Sequence, residues 1–359
     1  MRVLVAMSGG VDSSVAAALL VERGHEVVGA TLKLWGGPSD SGCCSVADVD
    51  DARRVAQQLG IDHHVFNLTE EFDRHVVAPY VGEHARGRTP NPCIECNRSM
   101  KFDRLLGRSE RLGFDRLATG HHARVSEDGG GGDSVWRLRR GADGAKDQSY
   151  VLSMLGQDAL ARVLFPVGDM TKDEVRAHAR RHGLRTAAKP DSQDVCFIRD
   201  AEGRQGFLSR RMELHRADVV DSAGRPAGSV EAVELVTVGQ RRGMGHASDG
   251  TRRYVTHVDV AARRVTVGNA RDALLSSVVL AGPSLTWVDR PLDAGARAVA
   301  QVSAHGRPAC CTVDRADRAD GADLVVRFDA PQRPIAPGQT VALYDTQDPD
   351  AVLGAGIAA

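Results

Sequence analysis

Aromatic residues make up only 4% of the 359-residue chain, so its cores must be built mainly from Val, Leu and Ala. Lysine is also scarce. Only 5 of the 46 basic residues are lysine (Lys33, Lys101, Lys146, Lys172, Lys189), which makes each lysine position informative. No stretch approaches the roughly 18 apolar residues of a membrane-spanning helix. The opening Met1–Met7 reaches Ser8-Gly9-Gly10 before a signal-peptide core forms, so a cytoplasmic location with no membrane partner is expected. A net charge of -1 excludes an overall polycation but not a local basic surface for nucleic acid. Seven cysteines do not make a secreted disulfide scaffold in a chain this long. In a reducing compartment they read as buried small hydrophobes, metal or cluster ligands, or catalytic thiols.

What is present is a globular composition, 42% hydrophobic and 26% charged, in a chain too long for one ordinary core. The first half alternates strand and helix patterns: strand Val3–Met7, helix Ser14–Arg23 stopped at Gly24, strand Glu26–Leu34, helix Val46–Leu59 stopped at Gly60, then strands His63–Asn67 and Arg116–Thr119. This order predicts an α/β fold with a doubly wound parallel sheet. Thr171-Lys-Asp-Glu174 reads as a capping box opening a helix that stops at Gly183, and Gly129 to Gly132 mark a loop. After Ile198 a charged helical stretch runs to Arg216, followed by short strands. From about Ala270 the pattern is all β, with runs Ala298–Val302, Ala309–Val313, Asp323–Phe328, Thr340–Tyr344 and Val352–Ile357 that predict a small barrel. Three domains follow: 1–198, a small central domain over 199–270, and a C-terminal β-barrel over 271–359.

Ser8-Gly9-Gly10-Val11-Asp12-Ser13 sits between the first strand and the first helix. Two glycines let backbone approach an anion, helix-start amides point at it, and the Ser8 and Ser13 hydroxyls add donors; Asp12 is suited to Mg²⁺ or to orienting the loop. The Gly-Lys-Ser/Thr of a Walker loop is absent, which argues against that class of NTPase. The string instead resembles the loop of PP-loop ATP pyrophosphatases, which adenylate a substrate oxygen.

A second constellation is Gly87-Arg-Thr-Pro-Asn-Pro-Cys-Ile-Glu-Cys-Asn-Arg98, with a helical pattern beginning near Asn97. That places Cys96 at a helix N-terminus beside Arg98 and Lys101, both of which favour thiolate. Cys196 closes Lys189-Pro-Asp-Ser-Gln-Asp-Val-Cys196. No second close cysteine pair exists for a zinc ribbon. Cys43-Cys44 have no assigned role, and Cys310-Cys311 read as structural.

With Ala118-Thr-Gly-His121, Lys146-Asp-Gln-Ser-Tyr150 and Thr237-Val-Gly-Gln-Arg-Arg-Gly243 added, the chain resembles the tRNA-specific 2-thiouridylases over nearly its whole length. The resemblance implies ATP-dependent conversion of a wobble uridine to 2-thiouridine. It implies an ATP site formed by Ala6, Met7, Ser8, Gly9, Gly10, Val11, Asp12, Ser13, Leu32 and Gly120, with Mg²⁺. It makes Cys96 the nucleophile and Cys196 the persulfide carrier, supplied by a cysteine desulfurase or relay protein, with a disulfide between the two as an intermediate. For tRNA it implies contacts from Asn91, Pro92, Cys93, His121, Lys146, Asp147, Gln148, His305, Gly306 and Gln339. Many relatives carry Asp at position 93, and His305-Gly306 stand where they often carry Arg-Tyr. With a thiol at 93, the three cysteines Cys93, Cys96 and Cys196 also form a ligand set for a [4Fe–4S] cluster.

Basic residues crowd the segments around these loops (Arg86, Arg88, Arg98, Lys101, Arg104, Arg108 and Arg111, then Arg199, Arg204, Arg210, Arg211 and Arg216, with Arg241-Arg242 before Gly243), as phosphate contacts or as ordinary solvated helix faces. Two rival readings remain open: another PP-loop adenylating synthetase, and a non-catalytic redox-sensing protein that binds nucleotide or RNA.

Overall fold

The computed structural model describes residues 1–34, 45–129, 134–191, 195–198, 202–316 and 323–359. Cys43, Cys44, Gly130 to Gly132 and Arg199 lie outside the described residues.

The N-terminal sheet is parallel throughout, with strands in the spatial order Asp62–Asn67, Glu26–Lys33, Arg2–Ala6, Arg116–Thr119, Val163–Leu164. Val3, Leu4 and Val5 are each 0% exposed. A strand apolar on both faces is what a central parallel position requires, because helices cover each side. The sequence order reverses beside Arg2–Ala6, and at such a switch point the loops leaving adjacent strand ends diverge and open a crevice.

Helix Val11–Glu22 packs with Val46–Leu59 and Lys172–Arg181 against this sheet. It starts three residues before the predicted Ser14. The Ser13 and Ser14 hydroxyls do not cap it but donate back to the Gly10 carbonyl oxygen at 3.2 and 2.8 Å, while Gly10 itself is the extended residue at the start. The capping box at Thr171–Glu174 is present. The antiparallel hairpin Ala123–Asp128 with Val135–Arg140 is an addition the sequence pattern does not reveal, since its strands carry mixed rather than alternating burial.

The four-stranded central sheet comprises Tyr254–Asp259, Arg264–Gly268, Ala217–Asp221 and Pro226–Val230. The C-terminal sheet has seven strands between Leu275 and Ile357, antiparallel in every pairing. A single bridge, Leu280 to Ala358, curls its first strand back toward its last. Cys311 is buried in this core, and burial pushes its thiol up to about 11. The sheet is tied to the first domain through Tyr150, whose hydroxyl donates to the Thr340 carbonyl oxygen at 3.0 Å. Arg140 reinforces the joint by lying 3.7 Å above the Tyr344 ring.

His84, on helix Ala78–Ala85, meets the turn Val233–Leu235: it is 2% exposed and its Nδ1 lies 3.3 Å from the Glu234 carbonyl oxygen. Burial, helped by nearby Arg204, pushes its imidazole down to about 4. The ordinary value in the unfolded chain is about 6.5, so the fold prefers the neutral ring. Its contribution is complete above about pH 6.5 and is lost as pH falls toward 4, by about 3 kcal/mol in all. Urea unfolding measured between pH 7.5 and 4.5 should show this loss. His84→Phe keeps a ring against Tyr80, whose centroid is 4.6 Å away, and should flatten the pH slope. Equal slopes in the two proteins would remove His84 as the cause.

Candidate active site

At the crevice the chain turns sharply at Gly9, whose φ is +74°. A Cβ there would lie 2.2 Å from the Asp48 carbonyl oxygen. Gly10 then starts the helix without a side-chain cap, which leaves first-turn amides available to an anion. Ser8 and Ser13 hydroxyls lie 3.3 Å apart across the turn. From the neighbouring strand, Gly120 backs onto the loop so closely that a Cβ would fall 2.5 Å from the Ser13 nitrogen. Both glycines are therefore required by backbone approaching backbone. Gly9→Ala is expected to weaken binding of ATP at least about tenfold by calorimetry. Gly24→Ala is the control, because Gly24 has φ +75° with nothing within 4 Å. It should lower stability by about 1 kcal/mol while leaving nucleotide affinity unchanged.

Lysines gather around this loop. Lys172 Nζ lies 2.8 Å from both carboxylate oxygens of Asp12 and 2.9 Å from Asp191. Lys146 Nζ reaches Asp191 at 2.8 Å, and Arg176 joins the same carboxylate at 2.9 Å. Lys189 Nζ donates to the Gly9 carbonyl oxygen at 3.0 Å and pairs with Asp48 at 2.6 Å and Asp51 at 2.8 Å. His122, 3% exposed, places Nε2 3.1 Å from Asp12. Burial alone would raise Asp191, but the bonds to Lys146 and Lys172 outweigh it and hold the carboxyl well below the usual range. Asp12 follows the same balance, with His122 and Lys172 lowering it against the cost of burial. Both remain ionised at any physiological pH. Mg²⁺ on Asp12 would have to displace the Lys172 ammonium, so the structure favours the orienting role for this carboxylate.

Above the loop opens a cleft of about 470 Å³. Ala6, Met7, Ser8, Gly10, Val11, Asp12 and Ser13 line it, as do Leu32 and Gly120; Gly9 shapes the turn behind them. Pro92, Cys93 and Cys96 enter from one side, Lys146, Asp147 and Gln148 from another, with Cys196 and His305 beyond. All three cysteines of interest thus face one space, although Cys196 is 100 residues from Cys96 in sequence.

The geometry around the cysteines differs from the sequence prediction. The helix begins at Pro92, not near Asn97, because the Asn91 side chain caps it, accepting from the amides of Cys93 at 3.0 Å and Ile94 at 3.4 Å. It then continues through a π-type segment, Cys96–Leu105. Cys93, not Cys96, therefore sits in the first turn. Arg98 pairs with Glu95 at 2.6 Å, and Lys101 Nζ lies 3.4 Å from His121 Nε2. Cys196 follows Val195, whose φ of +54° is a costly left-handed conformation for a β-branched residue. Phe197 holds this turn by edge-on packing against Phe72 and Tyr80, with centroids 5.7 and 5.5 Å away.

Among the residues expected to meet tRNA, Asp147 is 7% exposed and bonded to Arg140 at 2.8 Å and to Ser149 Oγ at 2.9 Å. Gln148 Oε1 accepts from the His122 amide, and Gln339 Oε1 from the Ala336 amide. His121 is 7% exposed, with Nδ1 2.6 Å from the Thr119 hydroxyl; burial and Lys101 keep it neutral. Asn91, Gly306 and Gln339 are not part of the cleft lining, whereas His305 and Ala304 bring the C-terminal domain to its rim. Of the crowded arginines, Arg86 and Arg88 pair with Glu83, and Arg108 lies 4.4 Å over Phe66.

The family described as tRNA methyl transferase HUP domain matches residues 1–200, and the aminomethyltransferase beta-barrel domain matches residues 279–358. A tRNA-specific 2-thiouridylase of Roseiflexus castenholzii is 44% identical over 99% of this chain and 98% of its own length. That of Acidothermus cellulolyticus is 46% identical over 96% of this chain and 94% of its own. The chain belongs to the tRNA-specific 2-thiouridylase family. Among solved structures, a 4-thiouridine synthetase–RNA complex with bound ATP overlaps 55% of this chain and 44% of that one, at 20% identity and a TM-score of 0.37.

Within this 2-thiouridylase-family chain, sequence reading missed Lys172, Lys189, His122 and Asp191 as parts of the site. The signal for two of them was composition. Four of the five lysines, all but Lys33, stand at the cleft or on its loop. A chain that otherwise uses arginine places the compact, flexible ammonium of lysine against the carboxylates and backbone around this loop.

Proposed function

We propose that this chain uses ATP to convert the wobble uridine of tRNA to 2-thiouridine. The observation that supports the reading is a single cleft lined by both the Ser8–Ser13 loop and the thiols of Cys96 and Cys196. The C2 carbonyl of uridine is a poor electrophile with no leaving group. Attack of its oxygen on the α-phosphorus of ATP, with pyrophosphate departing, supplies one. The loop amides and the ammonium groups of Lys172 and Lys146 take up the phosphate charge, and Mg²⁺ enters with the nucleotide as part of the substrate.

Sulfur arrives as a persulfide on Cys196 from a cytoplasmic donor, a cysteine desulfurase or a relay protein. In one order the terminal sulfur attacks C2 and AMP leaves; Cys96 thiolate then attacks the Cys196 sulfur, breaking the S–S bond and freeing the thiocarbonyl. In the other order Cys96 attacks first and releases hydrosulfide, which attacks C2. Both end with a Cys96–Cys196 disulfide that an external dithiol must reduce. The target base must leave the anticodon stack to reach the cleft, and Pro92, His121 and His305 border the space it would enter. In this reading Asp147, Gln148, Asn91 and Gln339 act by shaping the rim through their internal bonds, and Gly306 by letting the 303–306 turn close.

Nucleoside analysis of tRNA from a strain lacking this chain is the test: wobble 2-thiouridine should vanish and return on complementation. Its persistence would sink the proposal in favour of a different adenylating synthetase or a non-catalytic binder.

A second reading rests on Cys93 lining the same cleft. Among the described residues the three thiols do not form a single-ion site, since they are absent from the groups whose ligand atoms lie within 4.8 Å of one another. A [4Fe–4S] cluster spreads its thiolates further, and Cys93, Cys96 and Cys196 would supply three ligands and leave one iron for hydrosulfide. Anaerobic purification with iron and sulfide analysis separates the two. About four irons per chain, lost in Cys93→Ser, is the cluster outcome; an iron-free, fully active protein is the persulfide outcome.

A further inference from the structure

At the end of helix Lys172–Arg181 remote from the cleft, His178 and His182 stand four residues apart on one face, their rings stacked 6.2 Å between centroids. Glu22, the last residue of helix Val11–Glu22, places Oε1 2.8 Å from His182 Nε2. One ligand atom from each of these three residues lies within 4.8 Å of the other two, and no other His, Cys, Asp or Glu group does so among the described residues. His178 Nδ1 is shut away from solvent without a hydrogen-bond partner. Its Nε2 lies 2.6 Å from Nη2 of Arg181, an exposed side chain on a rotatable stem. The Gln58 side chain donates to the His182 carbonyl oxygen at 2.6 Å and fixes the backbone that carries the second imidazole.

We propose that Glu22, His178 and His182 bind a transition-metal dication of the Zn²⁺ class and thereby pin two helix ends together. Two imidazoles with one carboxylate suit Zn²⁺, Co²⁺ or Ni²⁺, whereas Mg²⁺ and Ca²⁺ prefer all-oxygen sites. Three protein ligands at the surface leave the fourth position to water. The placement gives the site a consequence. The same two helices begin at the cleft, where Lys172 and Asp12 are joined at 2.8 Å. An ion at Glu22 would fasten their far ends, about 18 Å along a 12-residue helix from the nucleotide loop.

The test is Co²⁺ titration of the metal-stripped full chain, followed by visible absorption. Wild type should bind one Co²⁺ with a nitrogen–oxygen ligand spectrum lacking thiolate charge transfer. His178→Gln/His182→Gln and, separately, the exposed Glu22→Gln should each weaken binding at least tenfold, while Cys93→Ser/Cys96→Ser/Cys196→Ser leaves it unchanged. Zn²⁺ should raise the thermal midpoint of wild type and not that of the histidine double variant. Equal Co²⁺ affinity in wild type and Glu22→Gln, or loss of the ion in the triple cysteine variant, would overturn the proposal.

Discussion

Cys196→Ser is expected to lower single-turnover thiolation of tRNA by at least roughly 10³-fold while leaving ATP affinity, tRNA affinity and pyrophosphate release unchanged. Serine fills nearly the same volume and cannot carry a persulfide, and Phe197 with its aromatic cluster still anchors the turn in the variant. The change therefore removes sulfur delivery without moving the cleft. Cys96→Ser should cost a comparable amount, because a relay fails when either member is missing. The double variant should be no worse than either single one, since residues that act as a unit are not additive. Cys93→Ser then discriminates the routes: it should retain thiolation if sulfur passes between Cys96 and Cys196, and lose it if all three thiols hold a cluster. Retained thiolation in Cys196→Ser would refute the assigned sulfur path whatever the outcome at Cys93. High-performance separation of digested tRNA nucleosides, with radiolabelled pyrophosphate release measured in parallel, reads both steps.

Much of this site could be read in the residues because its parts are local. Ser8–Ser13 announces itself by two adjacent glycines after an apolar run, and the structure supplies the reason, with Gly9 at positive φ and hard against Asp48. The order of apolar strand runs and glycine-stopped helices likewise carries four of the five parallel strands, the two-residue Val163–Leu164 being too short to register. What the sequence hid is set by partners distant in the chain. The helix start at Pro92 depends on one Asn91 side chain turning inward, which periodicity cannot register. The Lys172–Asp12 pair joins residues 160 positions apart. Asp147 looks like a surface acid in a polar string, yet Arg140 and Ser149 draw it inside. The hairpin that starts at Ala123 escaped because its two strands form a sheet of their own, mostly half-buried on both faces, and so lack the alternation that marks a one-sided sheet.

Lys172→Met should produce the complementary defect: pyrophosphate release falls roughly 10²–10³-fold, and thiolation falls with it because nothing is adenylated. The reason is charge. Asp12 sits in the first turn of the helix whose amides would face the phosphates in the proposed reading, so an anion would stand beside the place where another anion binds. Two unit charges about 4 Å apart repel by about 4 kcal/mol at the effective dielectric near a protein surface. Lys172, with only 12% of its side chain exposed, neutralises Asp12 and also reaches Asp191. Its removal leaves His122 as the one remaining bond to Asp12 among the described residues, and Lys146 with Arg176 on Asp191. Asp191 therefore stays compensated and Asp12 does not, which localises the damage to the nucleotide loop. Lys172→Arg should recover part of the rate, since a guanidinium restores charge but not the compact reach of an ammonium. Lys172→Met/Asp12→Asn should recover more than Lys172→Met alone, because the second change removes the repulsion that the first exposes. Should the double variant be slower than the single one, Asp12 would have to act directly on the nucleotide or its magnesium rather than through its neutralisation by Lys172.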